Sequence, residues 1–263
     1  MSPWALLAGA TGACLALMTI LWVVGLRIRN WSVVDPGWAS CLVACAVLYA
    51  AAGDGTLARR AAMAVPVTIW GLRHAWLLLR HRVIGRPEEG RYVALRKTWG
   101  RGAFFAFFAA QGLLAAFLSG PFLLAAVDPR AGTSTLELGS LVLFSAALLG
   151  EALADAQLAR WKADPAHRGR TCRAGLWSWS RHPNYFFEFV IWCAFALHAT
   201  PSPWGWTAWY APAVMLLLLL FVTGIPPAEA QALRSRGEDY RAYQREVGAF
   251  VPRPPRRDRA SPS

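Results

Sequence analysis

Long apolar stretches constrain this chain more than any other feature of its sequence. A helix needs about 20 predominantly apolar residues to cross the hydrocarbon core of a bilayer. Seven stretches of roughly this kind lie at residues 4–26, 38–52, 61–79, 103–127, 136–157, 185–199 and 204–225. The second and the sixth are short and are expected to be tilted, re-entrant or extended by their neighbours. The sequence therefore predicts an all-α, polytopic membrane helical bundle with about seven transmembrane helices.

Composition agrees with a membrane location and argues against a nucleic-acid partner. Hydrophobic residues make up 56% of the 263 residues and charged residues only 16%, whereas ordinary soluble domains contain about 25% charged residues. The net charge of +12 would suit a nucleic-acid-binding protein, but such proteins do not have this hydropathy. We therefore expect membrane lipids, and no nucleic acid, as partners.

The basic residues are unevenly divided between the two sets of loops that seven spans define. Of 27 Lys and Arg, 23 fall in one set and three, Arg59, Arg60 and Arg130, in the other. Since cytoplasmic loops carry the excess of Lys and Arg, the N-terminus is predicted to face outward and the C-terminus to face the cytoplasm. The first stretch lacks a charged segment before it and is followed by Arg27 and Arg29, so we predict a retained helix rather than a cleaved signal.

Several common motifs are missing from the sequence. The five Cys show neither a CxxC pair nor Cys/His ligand spacing, so no metal site is predicted. There is also no GxGxxG after a strand, no Walker A, no GxSxG and no HExxH. Residues 1–248 are predicted to form one transmembrane domain, and residues 249–263, rich in Pro, Arg and Ser, a disordered basic tail.

Ionisable residues inside or beside the apolar stretches are the first candidates for function, because charge in a bilayer is costly. Arg73 and His74 lie within the third stretch, in WGLRHAWLLLR, where the guanidinium needs a partner, an anionic ligand or water. The competing interpretation of Arg73 is a structural ion pair with Asp35 or Glu151. Asp35, in WSVVDPGW, is either a helix N-cap followed by proline or a catalytic carboxylate at the cytoplasmic mouth.

Two acidic residues end the fifth stretch, in GEALADAQLARWK. Glu151 and Asp155 are four residues apart and share a helix face, where like charges repel each other. Ligand groups that donate hydrogen bonds would relieve this repulsion, and so would ion pairs with arginines of the adjacent loop.

The segment HRGRTCRAGLWSWSRHPNYFFEFVIW combines many cations with the start of a helix. Its cations are Arg168, Arg170, Arg173, Arg181 and His182. Pro183 then opens a helix whose free N–H groups attract anions, and Asn184 and Glu188 follow on one face. This order suits a ligand that bears phosphates and, beyond them, a polar base or ribose. A cytoplasmic loop that is merely basic is the alternative.

Two groups of motifs carry a resemblance to a known family. RAGLWSWSRHPNYFFE and GEDYRAYQREVGAFVPR, within residues 150–250, resemble the C-terminal signature of the steroid 5α-reductase-like membrane reductases. WSVVDPGW, WGLRHAWLLLRHR and EEGRYVALRKTWG resemble a bacterial branch with such a domain. The resemblance implies a helical bundle in a bacterial inner (plasma) membrane, with an NADPH site that faces the cytoplasm. The implied reaction is reduction of an activated C=C bond by an oxidoreductase acting on a CH–CH group.

The same resemblance implies which residues contact the cofactor. Family contacts fall on Asp155, Arg170, Asn184 and Glu188, while Glu151 stands where the steroid reductases have Asn. The wider set that we expect to bind NADPH consists of Glu151, Asp155, Arg168, Arg170, Arg181, His182, Asn184, Tyr185, Glu188, Tyr240 and Tyr243.

The catalytic end departs from the family pattern. Steroid 5α-reductases hold an enone carbonyl with a Gln–Glu pair, which is absent from the first third of this sequence. Asp35, Arg73, His74 and Tyr92 are the polar candidates here. Because hydride delivery places negative charge on the carbonyl oxygen, Arg73 or protonated His74 is expected to stabilise that charge, with Tyr92 as proton donor. The expected substrate is a lipophilic enone of the steroid, sterol or isoprenoid kind.

Two other functions fit the same C-terminal segment. Isoprenylcysteine carboxyl methyltransferases and phospholipid methyltransferases also carry an RHPxY…E signature and bind S-adenosylmethionine. A non-enzymatic lipid-binding protein would use the same arginines for headgroups. The first half of the chain fits the reductase branch better, and an NADPH-dependent membrane reductase is our prediction.

Overall fold

A computed structural model of the protein describes residues 1–254, and within this range it contains helices, turns and loops but no strand. The α-helices are α1 (Pro3–Ile28), α2 (Val34–Ala52), α3 (Leu57–Arg82), α4 (Gly90–Leu95), α5 (Arg101–Leu118), α6 (Gly120–Ala126), α7 (Thr135–Ala163), α8 (Pro183–Ala199), α9 (Tyr210–Leu217), α10 (Ile225–Arg236) and α11 (Glu238–Glu246). Of the predicted basic tail, residues 255–263 lie outside the described residues.

The predicted all-α, polytopic fold is confirmed. Six segments of the described chain are long and apolar enough to cross a membrane, namely α1, Trp31–Ala52, α3, α5, α7 and Gly205–Arg236. The protein is therefore an integral membrane protein. The count is one below the seven predicted, and the difference is α8, a helix of 17 residues that covers the stretch 185–199. The orientation of the termini stays a prediction.

Local sequence explains where several of these helices begin and end. Ser2 caps α1 by accepting a hydrogen bond from the backbone N–H of Ala5 at 3.2 Å. The predicted stretch 103–127 forms two helices rather than one, because α5 ends at Leu118 and α6 begins at Gly120. Pro121 occupies the first turn of α6, where its missing N–H costs nothing, whereas inside a continuous helix it would remove a hydrogen bond.

The described chain divides into two compact units. Unit 1 consists of Met1–Leu141 and Phe195–Ala211, and unit 2 of Val142–Ala194 and the chain from Pro212 onward. The prediction that residues 1–248 form a single domain stays a prediction.

Unit 1 is held together by close packing of α2 against α3 and of α1 against α5. A Cβ atom on Gly71 of α3 would lie 2.5 Å from a methyl group of Val43 on α2. On Gly112 of α5 it would lie 3.3 Å from the carbonyl oxygen of Cys14 on α1. Glycine lets these helices approach closely: a side chain at Gly71 would displace Val43, and one at Gly112 would be tightly packed against α1.

Unit 1 also contains a group of three buried charges and one exposed charge that the sequence did not predict as a group. We name Arg59, Asp128, Arg130 and Glu137 the Arg59 cluster. Arg59 is 5% exposed, and its Nη1 lies 2.7 Å from both Asp128 Oδ2 and Glu137 Oε1. Burial alone would raise the pKa of Asp128, but hydrogen bonds from Arg130 and the charge of Arg59 hold it at about 2. Each charge of the cluster is thus neutralised within it.

Unit 2 is built from the C-terminal part of α7, most of α8, and the two helices α10 and α11. A Cβ atom on Gly150 of α7 would lie 2.4 Å from the ring of Phe187 on α8, so these two helices are also in close contact. A small core of Ala232, Tyr240, Tyr243 and Val247 joins α10 to α11. Most of the residues predicted to bind a cofactor lie on these elements.

Candidate functional site

Asp35, the first predicted catalytic residue, is the centre of a charge cluster in unit 1. Its carboxylate accepts hydrogen bonds from Arg82 Nη1 at 2.7 Å and Arg91 Nη2 at 2.5 Å. The hydroxyl of Tyr92 donates to its other oxygen at 2.6 Å. We name these four residues the Asp35 cluster. It brings two of the four predicted catalytic residues, Asp35 and Tyr92, into direct contact.

The alternative interpretation of Asp35 as a helix N-cap is wrong. The N-cap position of α2 is Val33, and Asp35 lies inside the first turn of the helix. The reason is a 3-10 turn, Trp31–Val33, which precedes α2 and is capped by Asn30, whose side chain accepts from the N–H of Ser32. The carboxylate at the start of α2 still benefits from the helix dipole, but its hydrogen bonds go to residues far away in the sequence.

Tyr92 is 1% exposed, and its surroundings keep its proton in place. Burial and the negative charge of Asp35 raise the pKa of the Tyr92 hydroxyl above its ordinary value. The short helix α4 that carries Tyr92 is attached to the start of α2 by Glu88 and Glu89. Glu88 accepts from the N–H of Trp31 at 2.7 Å, and the N–H of Glu89 donates to Ser32 Oγ at 3.0 Å.

Arg73 and His74, the remaining predicted catalytic residues, lie on α3. Both side chains are half-buried, and the ring centroid of His74 lies 5.7 Å from that of Trp70 one turn earlier. The shared face that the sequence predicts for Trp70 and His74 is therefore present. Their catalytic role stays a prediction.

In unit 2, α7 and α8 place predicted cofactor residues side by side. Asn184 Nδ2 of α8 donates to Asp155 Oδ1 of α7 at 3.3 Å. One turn further along α8, Glu188 accepts from the indole N–H of Trp192 at 3.0 Å. Glu151 is buried as well. Four of the predicted cofactor residues therefore lie on the facing parts of two adjacent helices.

Among the buried side-chain oxygen atoms of this unit, two that belong to neutral side chains have no hydrogen-bond partner among residues 1–254. They are the side-chain carbonyl oxygen of Asn184 and the hydroxyl oxygen of Thr171. Buried polar atoms are nearly always paired in folded proteins, so an unpaired one calls for an explanation. A polar ligand that donates a hydrogen bond to Asn184 would supply one.

Four other predicted cofactor residues are engaged with the protein itself. Arg181 Nε donates to Glu229 Oε1 at 2.7 Å, and His182 Nε2 lies 3.3 Å from the same oxygen. The hydroxyl of Tyr240 also donates to Glu229, and that of Tyr243 donates to the carbonyl oxygen of Trp177. These contacts attach the segment before α8 to α10 and α11. The four residues therefore position the loop between α7 and α8.

The remaining cations of the loop between α7 and α8 differ in their pairing. Arg173 Nη1 lies 2.6 Å from Glu246 Oε2. Arg168 and Arg170 are exposed, and within the described chain no carboxylate pairs with either of them. Tyr185 stacks on His182 with ring centroids 5.3 Å apart. We name residues 164–182, which carry all of these cations, the basic loop.

Two further cations adjoin this region. Lys162, at the end of α7, and Arg236, at the end of α10, lie close enough for their positive charges to act on each other. Such proximity is unfavourable, and the carboxylate of Asp155, which also acts on Lys162, offsets part of it. Neither residue was among the predicted cofactor contacts.

Sequence reasoning also missed Glu229, although it binds three predicted site residues, Arg181, His182 and Tyr240. It lies in IPPAEAQALRSR, where it is the acidic residue of a basic segment. That contrast was the available signal. Arg82 and Arg91, the partners of Asp35, were counted only as loop cations. No local pattern links them to Asp35, which lies 47 and 56 positions earlier.

Comparisons with known proteins define the family of the chain. Residues 21–247 match the family described as "Protein of unknown function (DUF1295)", and the chain belongs to this family. An uncharacterized protein of the fission yeast Schizosaccharomyces pombe is 30% identical over 271 aligned positions, which cover 90% of this chain and 77% of the yeast protein. No solved structure matches the chain.

Proposed function

We propose that this integral membrane protein is an NADPH-dependent reductase of an activated C=C bond in a lipophilic substrate. The proposal starts from the resemblance of RAGLWSWSRHPNYFFE and GEDYRAYQREVGAFVPR to the steroid 5α-reductase-like signature. It places the NADPH-binding residues in unit 2. The cofactor site would lie on the cytoplasmic side of a bacterial plasma membrane. This agrees with the excess of Lys and Arg in the loops predicted to face the cytoplasm.

The observation that carries the proposal is the pairing of Asn184 with Asp155. The Asn184 amide N–H is used by Asp155, while its carbonyl oxygen is buried without a donor from residues 1–254. A nicotinamide carboxamide or a ribose hydroxyl donates the kind of hydrogen bond that this oxygen lacks. This acceptor oxygen therefore fits a polar coenzyme rather than an apolar one.

The cations near this pair fit the phosphates of the same coenzyme. Arg168 and Arg170 are exposed guanidiniums, and no ion pair within the described range occupies them. Guanidinium groups bind phosphate through paired, charge-assisted hydrogen bonds. Lys162 and Arg236 add two more positive charges, against the one negative charge of Asp155 that acts on Lys162, so a bound phosphate would relieve part of their repulsion. Arg181 and His182 would contribute by holding the loop through Glu229.

NADPH, when bound, supplies a hydride. The predicted catalytic residues would supply the complementary groups for the substrate. We propose that Arg73 or protonated His74 stabilises the negative charge that develops on a carbonyl oxygen. We propose Tyr92 as the proton donor, because its hydroxyl, like that of any tyrosine, carries its proton at neutral pH. Its hydroxyl now donates to Asp35, so donation to a substrate requires the hydroxyl to turn away from that carboxylate.

A coenzyme titration tests this proposal against the methyltransferase alternative. Purified protein in detergent is titrated with NADPH and, separately, with S-adenosylhomocysteine, while its Trp fluorescence is followed. We expect quenching by NADPH and none by S-adenosylhomocysteine. Asn184→Ala should weaken NADPH binding about tenfold, because it removes the acceptor oxygen and the hydrogen bond to Asp155.

The matched control is Gln231→Ala, which removes an exposed amide on α10 and should leave NADPH binding unchanged. Binding of S-adenosylhomocysteine but not of NADPH would support a methyltransferase and overturn the reductase proposal. Binding of neither would favour a lipid-binding protein without a coenzyme.

A further inference from the structure

A cavity of about 290 Å³ opens in unit 1 where α1 ends and α5 begins. Three cationic and three aromatic side chains line it: Arg29, Arg96, Arg101, Trp31, Trp99 and Phe104. None of these residues belongs to the predicted catalytic or cofactor sets. The cavity holds the volume of about ten water molecules, which is at the lower limit of small-molecule sites and too small for a dinucleotide.

The position of the cavity relative to the membrane follows from the two helices that frame it. α1 ends at Ile28, one residue before Arg29, and α5 begins at Arg101. Both helices are long and apolar enough to cross a membrane. The ends of such helices lie at the level of the lipid headgroups. The cavity therefore opens at the depth where headgroup phosphates are found.

The charge of the cavity is positive and only partly neutralised. Arg96 Nη2 lies 2.7 Å from Glu88 Oε1 and donates to the carbonyl oxygen of Arg29 at 3.1 Å. The side chains of Arg29 and Arg101 form no ion pair with any carboxylate of the described chain. Two of the three guanidiniums thus remain available to an anion, and a net positive charge stays in the cavity.

The backbone at the start of α5 adds to this attraction. Gly100 is the N-cap residue of α5, and it has no side chain that could accept hydrogen bonds from the first N–H groups of the helix. Gly100 and Arg101 both line the cavity. An uncapped N-terminus of a long helix favours a negative group, and here it coincides with guanidiniums that lack partners.

The aromatic walls give the cavity a fixed shape. The rings of Trp31 and Phe104 are stacked with centroids 4.4 Å apart, and Trp99 meets Phe104 edge-on at 5.6 Å. The carbonyl oxygen of Arg101 accepts from the indole N–H of Trp22 at 3.2 Å, which fixes the start of α5. Trp side chains are favoured at the membrane–water interface, since they have an apolar body and a polar N–H.

We propose that this cavity binds the phosphate-bearing headgroup of an anionic phospholipid. Arg29 and Arg101 bind the phosphate, Arg96 holds the rim through Glu88, and the rings of Trp31, Trp99 and Phe104 contact the glycerol and the first acyl carbons. The apolar chains of such a lipid continue into the bilayer beside α1 and α5. A soluble phosphate lacks these chains and is held by the guanidiniums alone.

Native mass spectrometry of the full-length protein in detergent micelles tests the proposal with phosphatidylglycerol and phosphatidylcholine as probes. We expect phosphatidylglycerol to remain bound at low lipid concentration, and phosphatidylcholine to bind at least about tenfold more weakly. The double variant Arg29→Gln/Arg101→Gln should lose the preference for phosphatidylglycerol. The matched control, Arg27→Gln/Lys97→Gln, removes the same charge from exposed positions outside the cavity lining and should retain it.

A second variant tests the cavity without removing any charge. A Cβ atom on Gly100 meets open space, and the backbone φ of −81° there suits any residue. Gly100→Leu should therefore fold normally, partly fill the cavity and weaken phosphatidylglycerol binding. Equal loss in the Arg27/Lys97 control, or undiminished binding in Gly100→Leu, overturns the proposal in favour of general surface charge. Displacement of the lipid by inorganic phosphate at matched concentration overturns it in favour of a soluble anion.

Discussion

The Arg59 cluster of unit 1 and the basic loop of unit 2 use arginine in opposite ways. Arg59 is buried, and two carboxylates and a backbone carbonyl neutralise and bind its guanidinium. Arg168 and Arg170 are exposed, and no carboxylate within residues 1–254 is paired with them. The first arrangement is complete without a ligand, whereas the second is not.

This difference shows why counting arginines does not locate a functional site. The sequence contains few cations in the loops that hold Arg59, Arg60 and Arg130 and many in the basic loop. Yet the charges that matter most for stability are expected in the sparse group, because a buried ion pair leaves an uncompensated charge when one partner is removed. The charges that matter for binding are those whose partners are absent. The predictions below test this contrast.

The largest effect is expected from Arg59→Ala. The change leaves Glu137 buried without its cation and leaves Asp128 with Arg130 alone. The free energy of unfolding should fall by about 3 kcal/mol, measured by chemical unfolding in mixed micelles. Arg60→Ala, in the same turn of α3, removes a guanidinium that donates to the backbone carbonyl oxygens of Ala50 and Ala51 and should cost about 1 kcal/mol. Equal costs for the two variants would remove the distinction between an arginine paired with buried carboxylates and one bound to backbone carbonyls.

A smaller effect, seen in binding rather than in stability, is expected from Arg170→Gln. Loss of one charge-assisted contact to a phosphate should raise the dissociation constant of NADPH about tenfold, with no change in the unfolding free energy. Arg241→Gln serves as the control, because Arg241 is an exposed cation of α11 that pairs with Glu238 at 3.3 Å. If both variants bind NADPH like the wild type, the cations of the basic loop only keep it on the cytoplasmic side of the membrane.

The smallest effect is expected from Tyr92→Phe, which removes one donor from Asp35 while Arg82 and Arg91 remain. The cost should be about 1 kcal/mol, and it should depend on pH. Tyrosine in the unfolded chain ionises near pH 10, whereas the pKa of Tyr92 in the folded protein is raised. The folded state therefore holds this proton more tightly, so the contribution is complete below about pH 10 and declines as the pH rises further.

Unfolding of the wild type and of Tyr92→Phe in parallel, from about pH 8 to about pH 11, measures this contribution. The stability difference between the two proteins should shrink at the alkaline end. A difference that is constant over this range would mean that Asp35 does not hold the proton of Tyr92.

Much of the fold could be predicted from the sequence, because hydrophobic stretches of membrane length depend on local composition. The two departures are also local in origin. Gly120 and Pro121 divide a stretch that is uniformly apolar, and α8 falls short by a few residues because Pro183 fixes its start. The end at Ala199 precedes a turn that contains Pro201 and Pro203. Mean hydropathy along the chain does not detect helix ends that single Gly and Pro residues set.

The candidate site could be predicted only in part, and the reason is distance along the chain. Asp155 and Asn184 were found because each belongs to a motif with its own spacing, and the structure brings them together. Glu229 was not found, although it binds Arg181 and His182, since 48 and 47 residues separate them. Partners of this kind are chosen by tertiary packing, which no local pattern encodes.

The most direct test of the proposed reductase identifies what the protein carries when it is purified. Small molecules released by denaturing gently extracted protein are analysed by liquid chromatography and mass spectrometry, for the wild type and for the Asn184→Ala/Arg170→Gln double variant. The expected result is NADPH or its oxidised form from the wild type and little from the variant. Recovery of an S-adenosyl compound in its place, or equal recovery of the dinucleotide from both proteins, would contradict a coenzyme site at Asn184 and the basic loop.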